Sequence, residues 1–269
     1  MPGVILAYLD RPAAAPGLLR AAAHLADLVG GAEIHALIVR TPPEATVIPS
    51  EEVLTPQQAD RIRAQQEARA VALTAAFEDW RPQADHPAHL ADVEAIAEDI
   101  VAQRGAAADF VVIGQPRRHP HGTDLPVIRA ALAATDRPIL LVPPGATAPF
   151  GRSVAIAWRD DGRAVKAVLP ALRLLSGAAQ VHVLQGVREG SDDLPVPAVF
   201  LDHGIAAQMH VLPIGDGVFA RALLDKAHSL GADLLVMGAY GHNPLREMIF
   251  GGVTRFMLDH ADLPVLMRH

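Results

Sequence analysis

The sequence predicts an α/β protein of two tandem domains, each a five-stranded parallel sheet with helices on both faces. Three observations predict it. Short apolar runs alternate with Ala/Leu-rich segments of helical spacing; the same landmarks occur twice in the same order; and the second half carries a strand, a glycine loop and a helix start in succession. Alternating strands and helices are what a parallel sheet needs, because each crossover helix covers one face of it.

In the first half, Val4 to Tyr8 reads as a strand ending at Asp10. Pro16 to Leu28 follows with helical spacing and is stopped by Gly30-Gly31. Ile34 to Val39 is a second strand, and Thr55 to Trp80, with Pro56 near its start, a long helix. His89 to Ala91 reads as a short third strand, Asp92 to Gln103 as a third helix with Gly105 just past its end. Phe110 to Ile113 forms a buried-type strand closed by Gly114. A helix from Leu125 to Ala134 and a strand from Pro138 to Val142 complete the unit.

The Pro/Gly cluster from Pro143 to Gly151 then sets the boundary: a first domain over 1–145, a linker over 146–152 and a second domain over 153–269. After it the pattern restarts. Val154 to Trp158 repeats Val4 to Tyr8, with Asp160 where Asp10 stood; Val181-His182-Val183 repeats Ile34-His35-Ala36. Asp233 to Gly238 repeats Asp109 to Gly114, and Ala261 to Leu266 repeats Thr135 to Leu140. Shared landmarks in one order mean a tandem duplication. His35 and His182 occupy equivalent places, which reads as a duplicated structural role and not as a ligand pair.

Composition removes whole classes of function. The 269 residues are 51% apolar and 20% charged, with only two Trp, two Tyr and seven Phe, so the core is built from Ala, Val, Leu and Ile. A net charge of −7 without a basic run disfavours nucleic acid and anionic membranes as partners. The absence of cysteine excludes disulfides, thiol catalysis and thiolate metal sites. No apolar stretch is long enough to span a membrane, and MPGVILAYLD lacks a basic n-region, so a cytoplasmic address is expected.

The chemistry concentrates in Leu234 to Thr254. The apolar run Leu234-Leu235-Val236-Met237 ends at Gly238; Gly241 comes three residues later; nine residues separate Gly241 from Gly251-Gly252, which precede Val253-Thr254 and the helical RFMLDH. Positions without side chains let the backbone approach a phosphate, and the N–H groups of a helix start point at it. The first half lacks this device. Its loop, Gln115 to Gly122, has no second glycine three after Gly114, and Pro116 and Pro120 remove two backbone donors. One half reads as binding and the other as supporting. The Arg118-His119-Pro120-His121 run reads as a polar loop, since no carboxylate accompanies it.

The spacing Gly238-x2-Gly241-x9-Gly251 resembles the nucleotide-binding branch of the universal stress proteins, which carries Gly-x2-Gly-x9-Gly-(Ser/Thr) after its fourth strand. This sequence has Gly252 at the hydroxyl position, with Thr254 two residues on. The resemblance covers the whole chain, through the motif in the second half and through fold pattern in the first. It implies two flavodoxin-like or HUP-like domains that pair through their last strands into an intrachain pseudo-dimer, with a further homodimer open. It also implies ATP or AMP, with or without Mg²⁺, held by Ala157, Asp160, Leu184, Met237, Gly238, Gly241, Gly251, Gly252, Val253 and Thr254. His242 and Arg246 lie in the loop as further phosphate contacts. Trp158, where the family has a small turn, either stacks on a base or packs.

No phosphate-binding lysine motif, dinucleotide fingerprint or nucleophile elbow occurs, and the glycine loop has one carboxylate, Glu247. No catalytic residue and no metal ligand is therefore assigned. The expected function is a stress-response sensor that binds an adenine nucleotide without fast turnover. Two alternatives stay open: a nucleotide-free stress protein acting through protein partners, and a slow ATP hydrolase on the same fold.

Overall fold

The computed structural model describes residues 3–46, 54–116, 124–146, 148–160, 162–187, 194–214, 219–239 and 252–269. The first half runs β1 (Gly3–Leu9), α1 (Ala15–Leu28), β2 (Ala32–Arg40), α2 (Pro56–Trp80), β3 (Ala88–Glu94), α3 (Ala97–Ala106), β4 (Phe110–Gly114), α4 (Asp124–Ala134) and β5 (Ile139–Val142). The second runs β6 (Ser153–Trp158), α5 (Arg163–Ser176), β7 (Gln180–Val187), α6 (Ala198–Asp202), β8 (Gln208–Pro213), α7 (Phe219–Ser229), β9 (Leu234–Gly238), α8 (Gly252–His260) and β10 (Val265–Arg268).

Local chemistry accounts for the ends of these elements. At α2, Thr55 accepts a hydrogen bond from the Gln58 N–H, and the Gln58 side chain accepts one from the Thr55 N–H at 2.8 Å. Two of the helix's orphan donors are satisfied reciprocally, and Pro56 supplies the preset φ of a first turn. After α1, Gly30 and Gly31 take φ of +83° and +104°, a region open to glycine and strained for other residues.

The strands form one sheet in the order β3-β2-β1-β4-β5-β10-β9-β6-β7-β8. Its pairings are parallel except at one place. There β5 runs antiparallel to β10, with Ile139 opposite Met267, Leu140 opposite Leu266 and Leu141 opposite Val265. The two last strands thus pair within one chain, and two five-stranded sheets become a single ten-stranded one. Residues alternate between its faces. Ile5, Ile34, Val112, Val154 and Val236 pack under α1, α2, α5 and α6. Leu6, Leu37, Val111, Ala155 and Leu235 pack under α3, α4, α7 and α8.

The duplication extends to individual hydrogen bonds. Asp109 accepts from the Val4 N–H at 2.8 Å, and Asp233 accepts from the Gly151 N–H at 2.7 Å and the Ser153 N–H at 3.2 Å. The Val111 N–H reaches the Pro138 carbonyl at 3.0 Å, as the Leu235 N–H reaches that of Pro264 at 3.0 Å. Gln115 N–H to Val142 O, at 2.8 Å, has its counterpart in Ala239 N–H to Arg268 O at 2.7 Å. Several contacts bind the halves beyond the strand seam. Arg173 of α5 donates from Nη1 to the Val29 carbonyl at 3.4 Å, Arg268 of β10 donates from Nη2 to Asp136 Oδ1 at 3.3 Å, and two more are buried or partly buried. Buried Gln115 donates its side-chain N–H to the Met257 carbonyl of α8 at 3.0 Å. His24 of α1 meets the Phe150 carbonyl at 2.7 Å and the Phe150 ring edge-on at 4.7 Å. Phe150 is itself buried, so the segment expected to be a linker carries a packed anchor.

Three expectations need correction. The repeat sets Val4 against Ser153 and Tyr8 against Ala157, one residue from the sequence alignment, because both first strands pair in the same register with β4 and β9. Arg159 and not Asp160 therefore stands where Asp10 does. The third helix begins at Ala97 and not at Asp92, because β3 continues to Glu94. Asp92 and Glu94 face Arg40 of β2, with Nε to Oδ1 at 2.9 Å and Nη1 to Oε2 at 3.4 Å, and this charge contact stabilises an edge strand that its polar residues disguise. The hydrogen bond and charge of Asp92 push the Arg40 pKa above its ordinary value. Gly105 lies inside α3 and not beyond it. A Cβ there would stand 2.7 Å from Cγ2 of Thr135 and 3.2 Å from Cγ2 of Val111, so the missing side chain lets α3 approach the end of α4 and β4.

That contact makes a prediction. Gly105→Ala gains about 1 kcal/mol of helix propensity but overpacks by about 1–3 kcal/mol, and the net expectation is a lower melting temperature. Thr135→Ser removes the clashing methyl and keeps the hydroxyl that donates to the Ala131 carbonyl at 2.6 Å. In the double variant the propensity gain emerges, and thermal melting should show Gly105→Ala stabilising only when it is combined with Thr135→Ser.

Candidate functional site

Both halves have a strand order in which chain direction across the sheet reverses beside the first strand, between β1 and β4 and between β6 and β9. Crossovers leave opposite faces there, and a crevice opens outside the carboxyl ends of the strands. In the second half, three of the sequence-assigned residues stand side by side at this point. Ala157 of β6 is in register with Leu184 of β7 and with Met237 of β9. Leu184 and Met237 are buried and Ala157 is half-buried, on the face that α7 and α8 cover.

Gly238 follows on β9, its backbone opposite Arg268 of β10. Helix α8 starts at Gly252, where an added Cβ would have no atom of the described residues within 4 Å. Val253 is half-buried and Thr254 is 3% exposed. Asp160 is exposed, just beyond the end of β6. Gly241, His242, Arg246, Glu247 and Gly251 lie outside the described residues, as does the Arg118-His119-Pro120-His121 run. The structure therefore brings Ala157, Leu184, Met237 and Gly238 together and puts Gly252 and Val253 at a helix start.

Trp158 resolves into packing. One position on from Ala157, it points to the other face of the sheet, is 7% exposed, and meets the Phe200 ring of α6 at 5.6 Å between centroids. Sequence reading gave no element at α6, a five-residue helix, and so had no partner to assign to this ring. Gly186 has a similar role near the end of β7, since a Cβ there would fall 2.7 Å from the Phe219 ring of α7.

The equivalent crevice of the first half is filled by protein. Arg11 follows Asp10, its Nε 3.0 Å from Oδ2 of that residue, and donates from Nη2 to the Gln115 carbonyl at 2.9 Å. A Cβ on Gly114 would lie 2.7 Å from Arg11 Nη2, so the glycine that corresponds to Gly238 makes room for a guanidinium. Arg69 of α2 donates to the Asp10 carbonyl at 3.0 Å, to the Val39 carbonyl and to Gln66 Oε1 at 2.7 Å. Two arginines thus tie together the ends of β1, β2 and β4. Charge-assisted hydrogen bonds contribute about 1.5–3 kcal/mol each. Arg69→Met, which keeps the stem and loses the donors, is expected to lower stability by about 2 kcal/mol in chemical denaturation.

His35 and His182 do sit equivalently on β2 and β7, but the register partner of His35 is His89 whereas that of His182 is Gln208, with His210 two residues beyond. In the second half His182 is 3% exposed, with Nδ1 3.1 Å from Nε2 of His210 on β8. Burial lowers both pKa values, and the charge of Lys226 on α7 lowers them further. The unfolded chain, with ordinary histidines near about 6.5, then binds protons that the folded chain refuses. Stability is full above that pH and declines as pH falls through it toward the lowered folded values. The melting temperature should drop as the solution is acidified from neutral through the ordinary histidine range, and His210→Gln should make the drop smaller.

The universal stress protein family model matches residues 204–269, which include β8, β9, α8 and β10. No curated protein matches the chain. Among solved structures, a universal stress protein from Archaeoglobus fulgidus DSM 4304 is similar over 98% of this chain and 97% of its own, with a TM-score of 0.69 at 15% identity. A functionally unknown protein from Pseudomonas aeruginosa PAO1 is similar over 98% and 92%, with a TM-score of 0.60 at 15% identity. The cytoplasmic domain of a prokaryotic cation chloride cotransporter is similar over 99% and 94%, with a TM-score of 0.53 at 11% identity. At such identities the likeness is one of fold. The whole chain shares its fold with these structures, and its residues 204–269 match the universal stress protein family model.

Proposed function

We propose that this chain, with the fold of the universal stress protein structures it resembles, has a regulatory role in the stress response, exercised in the cytoplasm by binding ATP or AMP, with or without Mg²⁺, in the second half. The observation that carries the reading is the contrast between the two crevices. Arg11 and Arg69 occupy the first, while at the second switch point Ala157, Leu184 and Met237 stand in register beside Gly238. Adenine burial against small and apolar strand ends, with phosphates on backbone N–H groups, suits such a place.

In this reading Asp160 meets the ribose, and the backbone of Gly238, Gly241, Gly251, Gly252 and Val253 meets the phosphates. Thr254 contributes through its main chain, since its side chain is buried in α8. His242 and Arg246 add charge from the loop. The ligand acts as a signal, and no residue is assigned a role in its hydrolysis.

Release of nucleotide from gently purified protein and a melting scan with ATP–Mg²⁺ or AMP test the proposal. Binding to the folded state alone raises stability by about 2.7 kcal/mol at a hundredfold excess over Kd, and a concentration-dependent rise is expected. Gly252→Asp separates binding from folding. A carboxylate at a helix start favours the helix but repels phosphate, so the variant should keep its ligand-free melting temperature and lose the nucleotide-dependent rise. If no nucleotide is released and millimolar ATP and AMP both leave melting unchanged, the proposal fails.

A further inference from the structure

The histidines beside the edge strands of the two halves are arranged differently, and the difference bears on function. In the first half, Glu33 and His35 are two apart on β2 and so project from the same face, while His89 of β3 is the direct register partner of His35. The three side chains converge. Nε2 of His35 is 3.4 Å from Oε2 of Glu33, and one donor atom from each residue lies within 4.8 Å of the others. The His35 and His89 rings meet edge to face, 5.5 Å between centroids. The patch is open to solvent: the His35 side chain is 43% exposed, Glu33 31%, and His89 is exposed.

We propose that Glu33, His35 and His89 form a surface site for a divalent first-row transition cation of the zinc type. Two imidazoles and one carboxylate suit such a cation. Ligand atoms about 2.0–2.2 Å from a tetrahedral ion are about 3.4 Å apart, the separation His35 and Glu33 already have. Closure needs only rotation of His89, an exposed residue on an edge strand. The remaining coordination position faces water.

The second half acts as a built-in comparison. There Gln208 stands opposite His182 where His89 stands opposite His35, the neighbouring histidine is His210 two residues on, and the residue equivalent to Glu33 is Gln180, which brings no charge. The pair is more deeply buried, and the Lys226 charge acts on both rings. A cation would meet a neutral amide and a fixed positive charge, so the site belongs to the first half alone. Loops and glycines drew attention in the sequence, while this trio is spread over two strands. Its one local signature is the Glu-x-His alternation on β2.

Untagged, metal-stripped full-length protein is titrated with Zn²⁺ by calorimetry and with Co²⁺ by visible absorption. Expected is one saturable equivalent, with Co²⁺ bands typical of nitrogen and oxygen ligation. His89→Ala and Glu33→Gln should each weaken it by at least about tenfold, the lower end of what loss of even a supporting group costs a metal site. His210→Gln should leave both affinity and stoichiometry unchanged. Circular dichroism of the variants confirms the fold, which the exposure of His89 protects. Absence of a saturable equivalent in the parent protein overturns the proposal, and so does a Zn²⁺ affinity that survives His89→Ala and Glu33→Gln together or falls equally with His210→Gln.

Discussion

The antiparallel pairing of β5 with β10 is the constraint on which the rest depends. Each half presents its last strand as an edge of buried, mostly apolar residues, and an edge of that kind cannot face water without inviting foreign strands. By closing on each other, Ile139 to Leu141 and Val265 to Met267 remove both liabilities at once. The two halves then share a pseudo-symmetric frame, with Gln115 reaching across to α8 and His24 reaching to Phe150. Among the described residues, the strands left at the margins are β3 and β8. Polar residues mark β3 there: Asp92 and Glu94 pair with Arg40, and its exposed positions, His89, Asp92 and Glu94, are all polar.

On this frame, duplication has produced two crevices of the same geometry with different contents. Asp109 and Asp233 hold the starts of the first strands in the same way, and the same strand-end amides pair with the same partners. The halves part at the carboxyl ends. In the first, Arg11 enters the space that Gly114 leaves, and its charge is met by Asp10 and a carbonyl. In the second, Gly238 begins the glycine-spaced loop. A single device, a glycine after the fourth strand, thus makes room for a guanidinium in the first repeat and begins the glycine-spaced loop in the second.

The fold was legible because its central strands are fully buried. Runs such as Phe110 to Ile113 and Leu234 to Met237 have no polar alternation to confuse them, and the repeat fixed their order. The edge strand β3 reads short in the sequence because many of its residues face solvent, so the polar run from Asp92 reads as the start of a helix. Gly105 was misread as a stop because its cause, the Thr135 methyl, is distant in sequence. Of the site, Ala157, Leu184, Met237 and Gly238 were legible from strand ends, and register brings them together. The burial of Trp158 against Phe200 was not, since α6 is too short to carry a periodic signal. Nor was the Arg11 and Arg69 lacing, which depends on where two long side chains reach and not on any spacing.

The position of the seam also has a consequence for the birth of the molecule. Protein synthesis is vectorial, and β5 is complete long before its partner β10 exists. While the ribosome makes the whole second repeat, the nascent first repeat holds out a bare, apolar ribbon edge with no mate in the same chain. Such an edge is open to mispairing with neighbouring nascent chains. The layout therefore leaves that edge unpaired for the whole time the second repeat is made, and the interval ends only when the last strand emerges and pairs with it.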